Sequence, residues 1–117
     1  MVDEPDCVFC KIAKQEIKSE LLYNDGEIVA FRDINPQAPT HILIIPVEHI
    51  PKISDVKENQ KELIGKMLLA ANELAKKEKT DEAGYRLVWN CGADAGQEVF
   101  HIHLHLLGGR KMTWPPG

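Results

Sequence analysis

Between positions 101 and 107 the chain reads His101-Ile102-His103-Leu104-His105-Leu106-Leu107. Three of the five histidines fall at every second position of an otherwise apolar run. Successive side chains of a β-strand point to opposite faces, so this alternation predicts three imidazoles on one face, neighbours roughly 6.5–7 Å apart. Ile102, Leu104 and Leu106 then point the other way, into a core. Imidazole is a nucleophile, a proton carrier and a metal ligand near neutral pH. A lone histidine on an apolar strand is commonly a hydrogen-bonded core or edge residue. Three in strict alternation point to chemistry instead. A tri-histidine metal site is one option, but same-face residues of one strand are too widely spaced to bring three nitrogens to about 2 Å from one ion. The second chemistry-bearing pair is Cys7-x-x-Cys10, whose spacing turns both thiols to one side of a first helical turn. Such a pair serves zinc or redox work, and the absence of a βαβ pattern around it weakens the redox reading. Cys91 has no sequence partner and reads as a free thiol.

The surrounding pattern supplies the elements that must hold these groups. Asp6 is placed to cap a short helix that buries Phe9, Ile12 and Ala13. Residues 21–24 and 28–32 read as two short strands joined by Asn24-Asp25-Gly26-Glu27, whose Asp-Gly pair is a hairpin signal. A loop stiffened by Pro36 and Pro39 leads into a β-branched strand over residues 41–46, which Pro46 ends. From 56 to 79 an apolar stripe (Leu63, Ile64, Met67, Leu68, Ala71, Leu74, Ala75) marks a long amphipathic helix. Lys76, Lys77 and Lys79 suit the negative end of its dipole. Residues 85–90 form a further strand, residues 91–98 a glycine-bearing loop, and residues 99–107 the histidine strand. This order predicts an α+β fold, an antiparallel sheet with helices on one face.

At 117 residues the chain is long enough for one domain with its own core, and an apolar fraction of 44% is that of a globular protein. A net charge of −4 without a basic run excludes a general nucleic-acid or anionic-membrane surface. No segment has the length of a transmembrane helix. The acidic start, Met1-Val2-Asp3-Glu4-Pro5-Asp6, has no apolar stretch of a secretory signal, and three cysteines do not make a disulfide framework. The expectation is a cytoplasmic, intracellular protein of one domain over residues 1–117, with residues 1–6 flexible and 108–117 a tail.

The triad His101-x-His103-x-His105 followed by two apolar residues resembles the signature of the histidine triad (HIT) superfamily of nucleotide hydrolases and transferases. The likeness runs from Cys7-Val8-Phe9-Cys10-Lys11-Ile12 through Phe31-Arg32-Asp33-Ile34-Asn35-Pro36-Gln37-Ala38-Pro39-Thr40-His41 and Pro46-Val47-Glu48-His49-Ile50 to the chain end. Leu107-Gly108-Gly109-Arg110 with Trp114-Pro115-Pro116-Gly117 is similar to the nucleotide-binding (Hint) branch in particular. The resemblance implies a five-stranded antiparallel sheet with two helices, and a homodimer whose two sheets join into one of ten strands. It implies cleavage of the P–N bond of purine nucleoside 5′-phosphoramidates, such as adenosine 5′-monophosphoramidate or lysyl-AMP.

Residue by residue, the resemblance makes His103 the nucleophile, its other ring nitrogen held by a main-chain acceptor near His101. It sets His105 and His41 at the phosphate and the leaving group, where a cationic imidazole is a general acid. Asn90 and Gly96-Gln97-Glu98-Val99 match the phosphate-binding segment. Some relatives carry serine where Glu98 stands, and a carboxylate beside phosphate repels it, so that contact is assigned to backbone N–H groups. Asp33 is placed for the ribose hydroxyls. Phe9, Ile12, Phe31, Ile34 and Leu43 are placed as apolar walls around the base. Trp114 is expected on the C-terminal tail (residues 108–117) at the dimer interface, over the partner's site. Cys7, Cys10, His49 and His101 correspond to a structural zinc site that the chemistry itself does not require. The competing readings are a dinucleoside polyphosphate hydrolase and a nucleotide-sensing adaptor with vestigial turnover. A nucleotidyltransferase is disfavoured, because such enzymes tend to carry glutamine where His105 stands.

Overall fold

The computed structural model describes residues 6–117. The flexibility expected of the N-terminal segment therefore concerns, for residues 1–5, positions outside the described residues. Five antiparallel strands form one sheet: β1 (Tyr23–Asn24), β2 (Ile28–Arg32), β3 (Thr40–Pro46), β4 (Tyr85–Val88) and β5 (Leu104–Gly108), in the spatial order β1-β2-β3-β5-β4. The helices are α1 (Val8–Ala13) and α2 (Lys61–Lys77). No helix among the described residues is long and apolar enough to cross a membrane.

β3 is the hub, because it is buried along its whole length and on both faces. Its even residues Ile42 and Ile44 share one face with Ile28, Ala30, Leu104 and Leu106, and α2 covers that face with Leu63, Met67, Ala71 and Leu74. Its odd residues Leu43 and Ile45 share the other face with Val29 and Phe31, and there α1 packs Phe9, Cys10 and Ala13. The helices thus lie on opposite faces, not on one. The cause is the uninterrupted apolar run of β3, which reads as a strand covered on both sides rather than as an alternating half-buried one.

The histidine strand is also shorter than its alternation predicts. β5 begins only at Leu104, opposite Ile44, so His101 and His103 precede it and only His105 lies on it. Pairing fails where β3 reaches Pro46, which has no N–H to donate. The Ile102 N–H instead donates to the Ile50 carbonyl at 2.8 Å. Released from the pleat, the rings no longer form an evenly spaced row, and the His103 and His105 centroids approach to 5.0 Å.

Smaller departures have local causes. α1 is capped by Cys7, whose Sγ accepts from the Cys10 N–H at 3.4 Å, and not by Asp6. The long helix begins at Lys61, because Asp55 and Gln60 accept from the backbone N–H of Lys52 and Lys57 and close two separate 3₁₀ turns before it. The hairpin loop matches its sequence signal, with Gly26 at φ 86° and Asp25 Oδ1 accepting from the Glu27 and Ile28 N–H groups. At the far end of α2, Glu78 takes a bidentate pair of hydrogen bonds from Arg32 at 2.9 and 3.0 Å, tying helix to sheet. The guanidinium holds the Glu78 carboxyl below its ordinary range.

At Gly108 a Cβ would lie 2.8 Å from Thr80 Cγ2 and 2.9 Å from Thr80 Cβ. Thr80 is buried and its hydroxyl donates to the Ala75 carbonyl at 3.2 Å, so it has little room to yield. Gly108→Ala is expected to cost about 1–3 kcal/mol, as overpacking of a tight site does, read as a lowered urea midpoint with an unchanged slope.

Candidate active site

Two histidine clusters lie on the α1 side of the sheet, and the hydrogen bond at the back of each ring separates their chemistry. In the first, His101 is fully buried and its Nε2–H donates to the Pro46 carbonyl at 2.8 Å. A carbonyl only accepts, so the proton sits on Nε2 and the Nδ1 lone pair faces inward. It meets Cys7 Sγ at 3.4 Å, Cys10 Sγ at 3.5 Å and His49 Nδ1 at 3.2 Å, and Cys10 Sγ lies 3.3 Å from His49 Nδ1. A tetrahedron with bonds of about 2.3 Å to sulfur and 2.05 Å to nitrogen has edges of roughly 3.6 Å (S···N) and 3.3 Å (N···N). Four of the six edges of such a tetrahedron are thus present to within a few tenths of an ångström, and all four donor atoms lie within 4.8 Å of one another. Burial, with the neighbouring rings of His49 and His103 adding to it, pushes the His101 pKa down to about 4, against the bond to Pro46. The ring is thus neutral, as a metal ligand must be.

The second cluster lines a cleft of about 580 Å³. His103 donates through Nδ1–H to the His101 carbonyl at 2.8 Å, which leaves the Nε2 lone pair for the cleft. Its ring stands edge-on to Phe9, centroids 5.1 Å apart. His105 Nδ1 lies 2.9 Å from His41 Nε2. His41 Nδ1 accepts the backbone N–H of Gln37 at 3.0 Å. An amide N–H only donates, so neutral His41 carries its proton on Nε2 and gives it to His105 Nδ1, and His105 keeps a proton on Nε2. Asp33 Oδ2 stands 3.5 Å from His41 Nε2. Asp33, His41 and His105 are close enough together to suggest a second metal group. The bond from Gln37 argues against it, because a ligand at His41 Nε2 would require an imidazolate. Burial lowers the pKa of all three rings; His105, also repelled by charge on His103 and His41, falls to about 4, and Asp33 opposes each shift.

The other expected site residues divide. Phe9, Ile12, Phe31, Asp33, Ile34, Leu43, Asn90, Gly96, Glu98 and Val99 all line the cleft. Ile34 stands fully exposed at its mouth. Gln97 does not line it. Its side chain is buried, accepting from the Gly92 N–H at 2.8 Å and donating to the Pro51 and Val99 carbonyls at 2.7 and 3.1 Å, so it braces the loop that carries Gly96 and Glu98. Trp114 is 83% exposed and also lies outside the cleft lining. Gln37, Asn35 and Ser19 line the cleft without having been singled out from sequence. Gln37 acts through its backbone N–H, which residue type does not advertise.

A family model described as HIT domain matches residues 14–112, and the chain belongs to that family. The chain is 49% identical over 107 residues to the purine nucleoside phosphoramidase of Escherichia coli K12, a match covering 92% of this chain and 90% of that protein. It is 48% identical over 118 residues to a 14 kDa zinc-binding protein of Zea mays, covering 99% of this chain and 91% of the other. Among solved structures, a HIT family hydrolase from Legionella pneumophila Philadelphia 1 superposes with a TM-score of 0.94 at 57% identity, over 96% of this chain and all of that one. A histidine triad nucleotide-binding protein from Candida albicans superposes at 0.81 with 34% identity, over 94% of this chain and 83% of that one. The family match begins after Cys7 and Cys10, so the cysteine half of the first cluster lies outside the matched residues.

The two tautomers can be read directly. Two-bond ¹H–¹⁵N spectra at pH 7.5 are expected to show His41 protonated at Nε2 and bare at Nδ1, and His103 the reverse. A protonated Nδ1 on His41 would overturn the assignment.

Proposed function

We propose that this HIT-family hydrolase cleaves the P–N bond of purine nucleoside 5′-phosphoramidates through a nucleotidylated His103. The observation that carries the reading is the hydrogen bond from His103 Nδ1–H to the His101 carbonyl, which aims a neutral Nε2 lone pair into the cleft beside His105. Phe9, Ile12, Phe31, Ile34 and Leu43 form an apolar slot for a base. A slot of that kind selects purines by size. Asp33 lines the same cleft, 3.5 Å from His41 Nε2, and its carboxylate can accept from ribose hydroxyls. The Ala95, Gly96 and Gln97 N–H groups already donate to the Gly92 and Ala93 carbonyls, so the phosphate oxygens are assigned to the N–H groups of Glu98 and Val99, which follow them.

In the free protein His105 is neutral. A bound phosphoramidate brings negative charge beside it, which favours the imidazolium and supplies an acid. The His103 Nε2 lone pair then forms a bond to phosphorus. The P–N bond to the amine breaks, its electron pair stays with the amine nitrogen, and that nitrogen takes the Nε2 proton of His105. Water next attacks the same phosphorus, gives its proton to the now neutral His105, and the phosphorus–His103 bond breaks. The products are amine, nucleoside monophosphate and the restored histidine. His41 sets the resting tautomer of His105; when His105 takes up its second proton on Nδ1 that bond is given up, and the His41 Nε2–H turns to Asp33 Oδ2, 3.5 Å away.

The test is hydrolysis of adenosine 5′-phosphoramidate, with a diadenosine polyphosphate as counter-substrate. Turnover of the first, weak turnover of the second, and a loss of at least about 10⁴-fold in kcat/KM in His103→Ala are expected, as for removal of a covalent nucleophile. Acid-free denaturing quench should leave the nucleotidyl group on the wild-type chain and none on the variant. Preference for the diadenosine compound would reassign the reaction to phosphoanhydride hydrolysis. No turnover of either by folded protein would leave nucleotide binding alone as the function.

The Cys7, Cys10, His49 and His101 cluster is read as a closed structural zinc site that pins α1 to the segment carrying His103. Cysteines with no disulfide among the described residues suit a reducing, intracellular compartment. The protein is further read as one domain and a homodimer. β4 ends the sheet with one unpaired edge, Leu69 on α2 is 65% exposed, and Trp114 projects from the tail. Strand addition at β4 with the tail crossing to the partner would cover all three. Native mass spectrometry is expected to find a dimer carrying two zinc ions. A monomer, or a metal-free dimer from zinc-supplied cells, would overturn the corresponding half of this reading.

A further inference from the structure

A glycine and an arginine follow the last strand, and together they reach back toward the histidines. β5 ends at Gly108, opposite Thr40, where β3 begins, so the next residues pass beside the loop that enters β3. Gly109 makes that passage possible. Its φ is 89°, and a Cβ there would lie 2.9 Å from Pro39 Cβ. Arg110 then meets the loop, and its Nε–H donates to the Gln37 carbonyl at 3.0 Å. Gln37 is exposed, and its other hydrogen bonds stay close by in sequence. Its Nε2 donates to the Asn35 carbonyl at 3.1 Å and its N–H to His41 Nδ1 at 3.0 Å. Among the described residues, Arg110 is thus the one hydrogen-bond partner that ties Gln37 to a distant part of the chain. The bonds to its carbonyl and from its N–H flank the Gln37 Cα, so the grip on the first bears on the direction of the second.

We propose that Arg110 is a positioning residue: through Gln37 it fixes the tautomer of His41 and, through His41, the proton that His105 presents to the cleft. The relay stands on geometry alone, and its catalytic consequence rests on the phosphoramidase reading above. With the Gln37 N–H in place, His41 keeps its proton on Nε2, and so does His105. Were that N–H to swing away, His41 would be free to carry its proton on Nδ1. Its bare Nε2 would then accept from His105 Nδ1–H, and the cleft would face a lone pair where the departing amine needs a proton. Arg110 itself does not line the cleft and touches no reacting atom.

The test uses zinc-loaded protein and two variants at this exposed position. Arg110→Met keeps an arm and removes the donor. Arg110→Gln loses the charge but sets an N–H donor as many bonds from Cα as Nε. Two-bond ¹H–¹⁵N spectra of Arg110→Met are expected to show the His41 Nδ1 and Nε2 shifts drawn toward each other, as for mixed tautomers, with faster exchange of the Gln37 amide proton. Arg110→Gln should return the wild-type pattern. In single turnovers at saturating substrate, Arg110→Met should release ammonia from adenosine 5′-phosphoramidate about tenfold more slowly, part of the roughly 10²–10⁴-fold that positioned proton transfer contributes. Release of p-nitrophenolate from the p-nitrophenyl ester of AMP, a leaving group that needs no proton, should change by less than about twofold. Unaltered spectra in Arg110→Met, an equal loss on both substrates, or no recovery in Arg110→Gln would overturn the relay. A wild type that releases no ammonia would sink the phosphoramidase reading instead, and the spectra would still decide the relay.

Discussion

The end of strand pairing at Pro46 is the constraint on which the site depends. Pro46 offers no N–H to a neighbour, and its carbonyl is taken by His101 Nε2. Residues 99–103 therefore leave the sheet before β5 begins, and alternate residues are no longer bound to one face. His101 turns toward the cysteines and His103 toward the cleft, while the carbonyl between them fixes the His103 proton. One break in a β-ladder thus divides three similar imidazoles between two tasks.

Main-chain groups make the division sharp. A ring backed by a carbonyl presents a lone pair, and a ring backed by an amide N–H presents a proton. His101 and His103 are of the first kind and His41 of the second. The geometry of the second cluster resembles a metal site, and only the direction of the bond from Gln37 separates it from one. Neither burial nor proximity would have made the distinction.

Much of this was legible in residue order, and what was not has an identifiable physical origin. The Asp-Gly hairpin, the β3 run and the apolar stripe of α2 are local signals, and the structure follows them except that α2 starts at Lys61 and leaves Leu68 of the stripe exposed. The two-sided burial of β3 was present in the run from His41 to Ile45, but an α+β reading with helices on one face passed over it. The early end of the histidine strand depends on Pro46, 55 residues away from His101, and no local pattern contains that pairing. The placement of residues for the base and phosphate came from family likeness. Gln97 shows the limit of such transfer, since a residue inside the matching loop braces it without facing the cleft. The backbone N–H of Gln37 had no signal at all, because every residue but proline has one.

α1 has six residues, too few to persist as an isolated helix. It nevertheless supplies Phe9 and Ile12 to the cleft wall while Cys7 and Cys10 face His49 and His101 behind it. The same turn of backbone is thus a wall of the cleft and half of the cysteine–histidine cluster. α1 is already packed against the sheet through Phe9, Cys10 and Ala13, so a shift of that turn would reach both the back and the front of it. Were an ion held at the back and a nucleotide at the front, their affinities would be linked, each changing the other by the same factor, through a segment that carries none of the three cleft histidines.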